Sequence, residues 1–171
     1  MKASNRIQIS APFERLFDTA ADIGHWPDFL PHYRWVKILA RGQGRVTAEM
    51  AARHRGIPLW WRTLQRPLPL EKRIEFTHIG GITRGMEVQW TFEEAGASCL
   101  GPTWLVQIHH RFDPSWPSAL GPWFADRIIG KLFVGEVANK TLTRMKALLE
   151  GSAPSELSPR NAERGVLHSE T

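Results

Sequence analysis

Two histidines stand where an imidazole could do acid–base work. Residues 73–79 read as a strand whose Ile74, Phe76 and His78 share one face, and residues 103–112 as another whose Trp104, Val106, Ile108, His110 and Phe112 do the same. Between them, residues 85–93 alternate Met86, Val88, Trp90 and Phe92 against Glu87, Gln89 and Thr91. Both histidines therefore fall in apolar phases beside aromatics, where a group titrating near neutrality could give or take a proton at a ketone or phenol. Hairpins through GGITRG and EEAGASCLGP would set His78 opposite about Met86, and Met86 opposite about His109 or His110. The two imidazoles would then lie about two strand spacings apart, roughly 10 Å. That is too wide for one shared metal ion, whose nitrogen bonds are about 2 Å, and suits two sides of a flat ligand. The plainer alternative is a pair of ordinary buried histidines bonded to their neighbours. A slip of one residue would also exchange His110 for His109.

Other chemistries find little support. His109 and His110 point to opposite sheet faces and make a poor chelate, so no metal site is expected. Cys99 is the single cysteine, which excludes disulfide scaffolds and cysteine-based zinc sites and favours a reducing compartment. Ser10, Ser98 and Ser118 lack a nucleophile elbow, and neither a phosphate loop nor a dinucleotide fingerprint occurs, so no cofactor is implied. Lys plus Arg number 22 against 17 Asp plus Glu. The excess gathers between residues 41 and 73, where Arg41, Arg45, Arg53, Arg55, Arg62, Arg66, Lys72 and Arg73 meet only Glu49 and Glu71. A solvated strand face accounts for this; peripheral contact with an anionic ligand or membrane surface is the alternative, and nucleic acid is the least supported partner.

These side chains need a framework. A chain of 171 residues suits one domain and is long enough to bury a core around an internal cavity. No apolar run approaches the eighteen or so residues that span a bilayer, and residues 1–10 lack the apolar core of a secretion signal, so a cytoplasmic protein is expected. RIQIS alternates as a half-buried strand; Ser10 can cap a helix that carries Pro12 in its first turn, buries Phe13, Leu16, Phe17 and Ala20 and runs to about Asp22, with Gly24 breaking it. HWPDFLPHY suits a further helical turn. Residues 33–40, 44–53 and 57–65 add three strands, the last ended by Pro67 and Pro69, so that the whole makes a consecutive antiparallel meander. Trp60 and Trp61 are adjacent and must face opposite ways, and the residues alone leave open which of them faces inward. From residue 118 to 150 the period becomes helical, with Leu120, Trp123, Phe124, Ile128, Leu132, Leu142, Met145 and Leu149 on one stripe and Gly151 as a left-handed cap. Beyond it, residues 151–171 read as a disordered polar tail, leaving residues 1–150 as the folded domain.

A sheet that curls around one long helix encloses a cavity between them. The opening string resembles the START-like superfamily branch of polyketide cyclases, dehydrases and coenzyme-Q-binding proteins: Ala11, Pro12, Glu14, Leu16, Phe17, Asp22, Trp26, Pro27, Phe29 and Pro31 stand in that branch's order. The resemblance, carried further by GMEVQWTF and by residues 128–150, implies an α+β helix-grip fold of about seven strands. It also implies a hydrophobic small molecule, whether lipid, quinone or polyketide, as the occupant. The residues expected to face it are Met50, Trp61, Phe76, His78, Met86, Val88, Trp90, Ile108, His110, Phe124 and Ile128, with Arg84 as a rim contact or a solvated turn residue; at the ambiguous tryptophan pair the resemblance prefers Trp61 and Thr63 inward and Arg62 outward. Binding is the first expectation. A cyclase or aromatase using His78 or His110 is the second, and a toxin-like, RNA-associated module the third.

Overall fold

The computed structural model describes residues 2–54, 56–112 and 135–151. In chain order these form β1 (Lys2–Ser10), α1 (Phe13–Ala21), a 3-10 turn (Ile23–His25), α2 (Trp26–Phe29), β2 (Tyr33–Gly42), β3 (Arg45–His54), β4 (Ile57–Leu68), β5 (Arg73–Gly81), β6 (Glu87–Ser98), β7 (Gly101–Arg111) and α3 (Gly135–Gly151). The seven strands make one curved antiparallel sheet in the order β1-β7-β6-β5-β4-β3-β2. From β2 to β7 it is the meander that the alternation predicts, and β1 closes on β7 to form the far edge. This is the helix-grip arrangement, with α3 laid against the concave face.

Period two decides which side chains meet the helix. Ile74, Phe76, Met86, Val88, Trp90, Phe92, Trp104, Val106, Ile108 and Phe112 are all buried, as their phase requires. On α3, Val137, Ala138, Thr141, Leu142, Met145 and Leu149 are buried at helical spacing. Polar latches fix the helix to edge strand β1: Asn5 Nδ2 donates to Asn139 Oδ1 (2.8 Å), Lys146 Nζ to the Gln8 carbonyl (2.8 Å), and the Ser10 amide to Glu150 Oε1 (3.0 Å). They occupy groups that an open edge would otherwise leave to another chain.

Several local expectations are corrected. Ser10 ends β1 and pairs its hydroxyl with Thr103 Oγ1 (2.9 Å) instead of capping α1, and Pro12 precedes the helix, which starts at Phe13. α1 ends at Ala21, as the periodicity up to about Asp22 predicts, and Gly24 lies within the 3-10 turn that follows. Pro67 does not end β4. It pairs with Ile74 at a level where β3, whose last partner there is Gln65, no longer flanks the strand, so its missing N–H disrupts no ladder. Gly151 is the last helical residue and has no positive φ, so it is not a left-handed cap. Phe124, Ile128, the first part of the expected long helix and the 152–171 tail lie outside the described residues.

Candidate functional site

The concave face divides at Trp26. This indole projects from α2 into the sheet and packs against Tyr33 (5.2 Å between ring centres), Trp90 (5.8 Å) and Phe76 (6.1 Å). Beyond it, Tyr33 meets Trp61 (6.1 Å), and Trp61 stacks on His78 at 5.8 Å with ring planes 19° apart. A void of about 60 Å³ lies among these rings, Met50, Met86, Val88, Ile108, His110 and the Val137, Ala138 and Thr141 side chains of α3. All nine of the sequence-expected liners within the described residues, from Met50 to His110, border it. The ambiguous pair resolves as preferred: Trp61 is 4% exposed and Trp60 52%, with Thr63 fully buried.

One register expectation fails. His78 does face Met86, whose carbonyl accepts its amide at 2.9 Å, but His110 pairs with Val88, two residues further along β6. The β6–β7 hairpin is longer than its composition suggests, because Ala95, Gly96, Ala97 and Ser98 continue the strand through a bulge and Cys99–Leu100 alone make the turn. Inward phase survives, since a shift of two keeps side chains on their face.

The β5–β6 turn completes the wall. Gly81 has φ +81°, and a β-carbon on it would meet the Trp60 carbonyl oxygen at 2.4 Å, so only glycine lets the turn press so closely on β4. The tight turn brings fully buried Thr83 against His78, with Oγ1 2.7 Å from Nδ1. Arg84, at its tip, is exposed. The His78 and His110 imidazoles are both held neutral: burial pushes His78 down to about 3, reinforced by nearby His110, and pushes His110 down to about 4, reinforced by His109. His110 differs in one respect. Its Nδ1 is buried and has no hydrogen-bond partner among the described residues.

A second polar group at the cavity escaped the strand reading. Thr141 donates to the Val137 carbonyl (2.9 Å), which leaves its lone pairs for His32 Nε2, 3.1 Å away, and for the Tyr33 hydroxyl. Burial raises the Tyr33 phenol above its ordinary value and lowers His32 to about 4, the latter aided by Lys140 and Arg144. The signal for Thr141 was present in its spacing of four from both Val137 and Met145. Tyr33 and Trp26 depend on how α2 docks, which no periodicity reveals.

A larger concavity of about 640 Å³ along β1, β7, β6 and β5 shares Phe76, Val88 and His110 with the void, but most of its lining is polar: Lys2, Ser4, Glu75, Thr77, Glu87, Gln89, His109 and Arg111. Its mixed charges, with Arg111 4.0 Å from Glu87, suit water better than an apolar ligand. The inner void is the candidate site. Among the described residues no group of His, Cys, Asp and Glu is placed to hold a metal ion, and no helix is long and apolar enough to cross a membrane.

Comparison with known proteins agrees with this geometry. The family model described as polyketide cyclase/dehydrase and lipid transport matches residues 9–146. Among solved structures, the Zhui aromatase/cyclase from Streptomyces sp. R1128 superposes with a TM-score of 0.77 at 16% identity, covering 91% of this chain and 96% of its own. A protein from Thermus thermophilus gives 0.75 at 18% (90% and 100% covered), and a START superfamily protein from Mycobacterium smegmatis 0.68 at 19% (88% and 98%). At such identities these likenesses show the fold alone. No curated protein matches the sequence.

Proposed function

Because the chain belongs to the polyketide cyclase/dehydrase and lipid transport family, we propose that it binds a flat hydrophobic molecule bearing a hydroxyl or carbonyl group in the aromatic cavity. A lipid, quinone or polyketide-like compound satisfies this description. The observation that carries the proposal is His110 Nδ1, buried beside the void with no partner among the described residues. An unpaired buried polar atom costs roughly 1–3 kcal/mol, and a ligand polar group reaching it recovers that loss. The aromatic walls supply the apolar contact, and the hydroxyls of Tyr33 and Thr141 offer a second polar end. A void of about 60 Å³ takes a few waters, whereas ligand pockets measure roughly 300–1,000 Å³, so binding requires the cavity to widen. The lone thiol of Cys99 supports a reducing, cytoplasmic location.

Catalysis is the second reading, favoured by the two inward imidazoles and by the likeness to an aromatase/cyclase. Proton transfer at neutral pH works best with a group whose pKa lies near the operating pH. Imidazoles pushed to about 3 and 4 are neutral but weak bases, which favours hydrogen bonding over proton abstraction.

Paired titrations test the proposal. 2-Naphthol should bind about tenfold more tightly than naphthalene, read by tryptophan emission, and His110→Leu should abolish the difference. Trp90→Phe should remove much of the emission change. Equal binding of the two probes, or an emission change indifferent to Trp90, would refute the placement. Turnover of a poly-ketone lost on His110→Gln would move the assignment to the enzyme.

A further inference from the structure

On the outer face of β2–β5 the apolar residues are not scattered. Trp35 and Trp60 are 40% and 52% exposed and both pair with Ala51, one from each side, so the two indoles flank it at about two strand spacings. Ala51 itself is only 6% exposed. Ile79, 43% exposed, is the extra residue of the bulge opposite Arg62 and Thr63, one strand further on. Each is coupled to the cavity by alternation: Trp60 adjoins Trp61, Ile79 adjoins His78, and Ala51 adjoins Met50. The strands that wall the void on one side thus carry an aromatic and aliphatic patch on the other, at the same end of the sheet.

Cations surround the patch. Arg34, Lys37, Arg53 and Arg62 are exposed there, and Glu49 is the facing carboxylate, engaged by Arg62 at 3.0 Å. Gly80 leaves room for the Arg62 side chain, since a β-carbon there would lie 3.3 Å from Arg62 Cβ. Elsewhere in the basic 41–73 stretch Arg66 pairs with Glu75, Lys72 with Glu94, and Arg73 with Glu71 and Glu75, while Arg41 and Arg45 are exposed at the distant β2–β3 hairpin. Three exposed cations, Arg34, Lys37 and Arg53, thus lie beside the indoles.

We infer that this face docks on an anionic membrane surface, with Trp35, Trp60 and Ile79 at the headgroup level and Arg34, Lys37 and Arg53 against lipid phosphates. Indoles prefer that boundary because one side is apolar and the other wet, and juxtaposed cations add attraction to acidic headgroups. Ile79 distinguishes the surface from an RNA platform, which relies on stacking rings and a cationic track and has no use for an aliphatic side chain. The inference is independent of which molecule fills the cavity.

Co-sedimentation of the full chain with phosphatidylcholine vesicles, without and with phosphatidylglycerol, tests it. Retention should appear on the phosphatidylglycerol vesicles, weaken with salt, and fall about tenfold or more in Trp35→Ala/Trp60→Ala. Arg34→Glu/Lys37→Glu should lose a similar factor on those vesicles, and far-UV circular dichroism establishes that each variant is folded. No retention by the parent, or retention unchanged in both variants, overturns the inference. So does loss of a solution dimer, or of RNA binding, as the principal effect of the tryptophan changes. 2-Naphthol titrated into the same samples reports the cavity separately, so failed docking with intact naphthol binding leaves the cavity reading standing.

Discussion

The two ends of the concave face are both built from aromatic rings, yet they are finished differently. Toward the β6–β7 hairpin, Phe13 meets Trp104 at 4.9 Å, Phe17 at 5.5 Å and Phe92 at 6.1 Å, and Phe17 meets Phe92 at 5.5 Å. Lys72 closes the outside, its ammonium 4.7 Å from the Trp104 ring centre. Toward the β5–β6 turn, Trp26, Tyr33, Trp61 and Trp90 form a comparable run, but it ends on imidazoles and hydroxyls around a void. Both ends hold a buried polar atom without a partner among the described residues, Trp104 Nε1 at one and His110 Nδ1 at the other. Only the second adjoins the aromatic void. An orphaned donor or acceptor therefore points to a ligand where there is room for one, and elsewhere is a cost that packing absorbs. β6 and β7 serve both ends, with Phe92 and Trp104 given to stability and Val88 and His110 to the cavity.

The sharpest way to break this comparison is to remove a ring from each end. Phe17→Ala should cost about 3–5 kcal/mol in urea unfolding, because a close-packed aromatic cluster cannot collapse around the gap. Trp90→Phe, a smaller truncation beside the existing void, should cost less than that. Equal losses would mean that the cavity end is packed as tightly as the other.

Acid separates the ends next. His32, His78 and His110 are all lowered in the folded protein, to about 4, 3 and 4. The unfolded chain, with histidines near their usual 6.5, therefore binds more protons, so stability falls as pH drops from about 6.5 toward 4 and levels off only below the folded values. The unfolding free energy should slope with up to about one proton per histidine in that window. His78→Gln and His110→Gln should each flatten the slope, whereas Phe17→Ala should lower the whole curve and leave the slope alone. A parent whose stability is flat between pH 6.5 and 4 would contradict the neutral, desolvated state of these rings.

How much of this was legible in the sequence follows from which interactions are local. Alternation alone sorts Met86, Val88 and Trp90 from Glu87 and Gln89, because a strand's side-chain period does not depend on its neighbours. Register does depend on them, and the small residues at 95–98, which look like a turn, continue β6 and shift His110 from Met86 to Val88. Pro67 misled for a similar reason: whether proline can sit in a strand depends on whether another strand needs its N–H, and β3 stops short of it. Tyr33 and Thr141 lie far apart in sequence, so only the docked α3 reveals them as one polar group. The outer patch was half visible. The basic stretch could be counted, but its division into paired and unpaired cations needs cross-strand partners such as Glu75 and Glu94.

The smallest expected effect is the most discriminating. If His110 Nδ1 is kept unpaired for a ligand, replacing the side chain with an apolar one of similar volume removes a penalty without removing a protein contact. His110→Leu should then raise the unfolding free energy of the empty protein by about 1 kcal/mol, since no hydrogen bond is lost and an unsatisfied buried atom disappears. The gain should be largest at mildly acidic pH, where the parent's lowered imidazole is a liability. Stability and binding would thus move in opposite directions at one position, as expected where a site is maintained at the expense of the fold. His78→Leu supplies the contrast, because His78 Nδ1 holds Thr83 at 2.7 Å and its loss strands a fully buried hydroxyl. That variant should be destabilised by about 1–3 kcal/mol. If His110→Leu instead loses stability as His78→Leu does, then His110 is an ordinary part of the core, and the cavity end differs from the packed end only in how well it is filled.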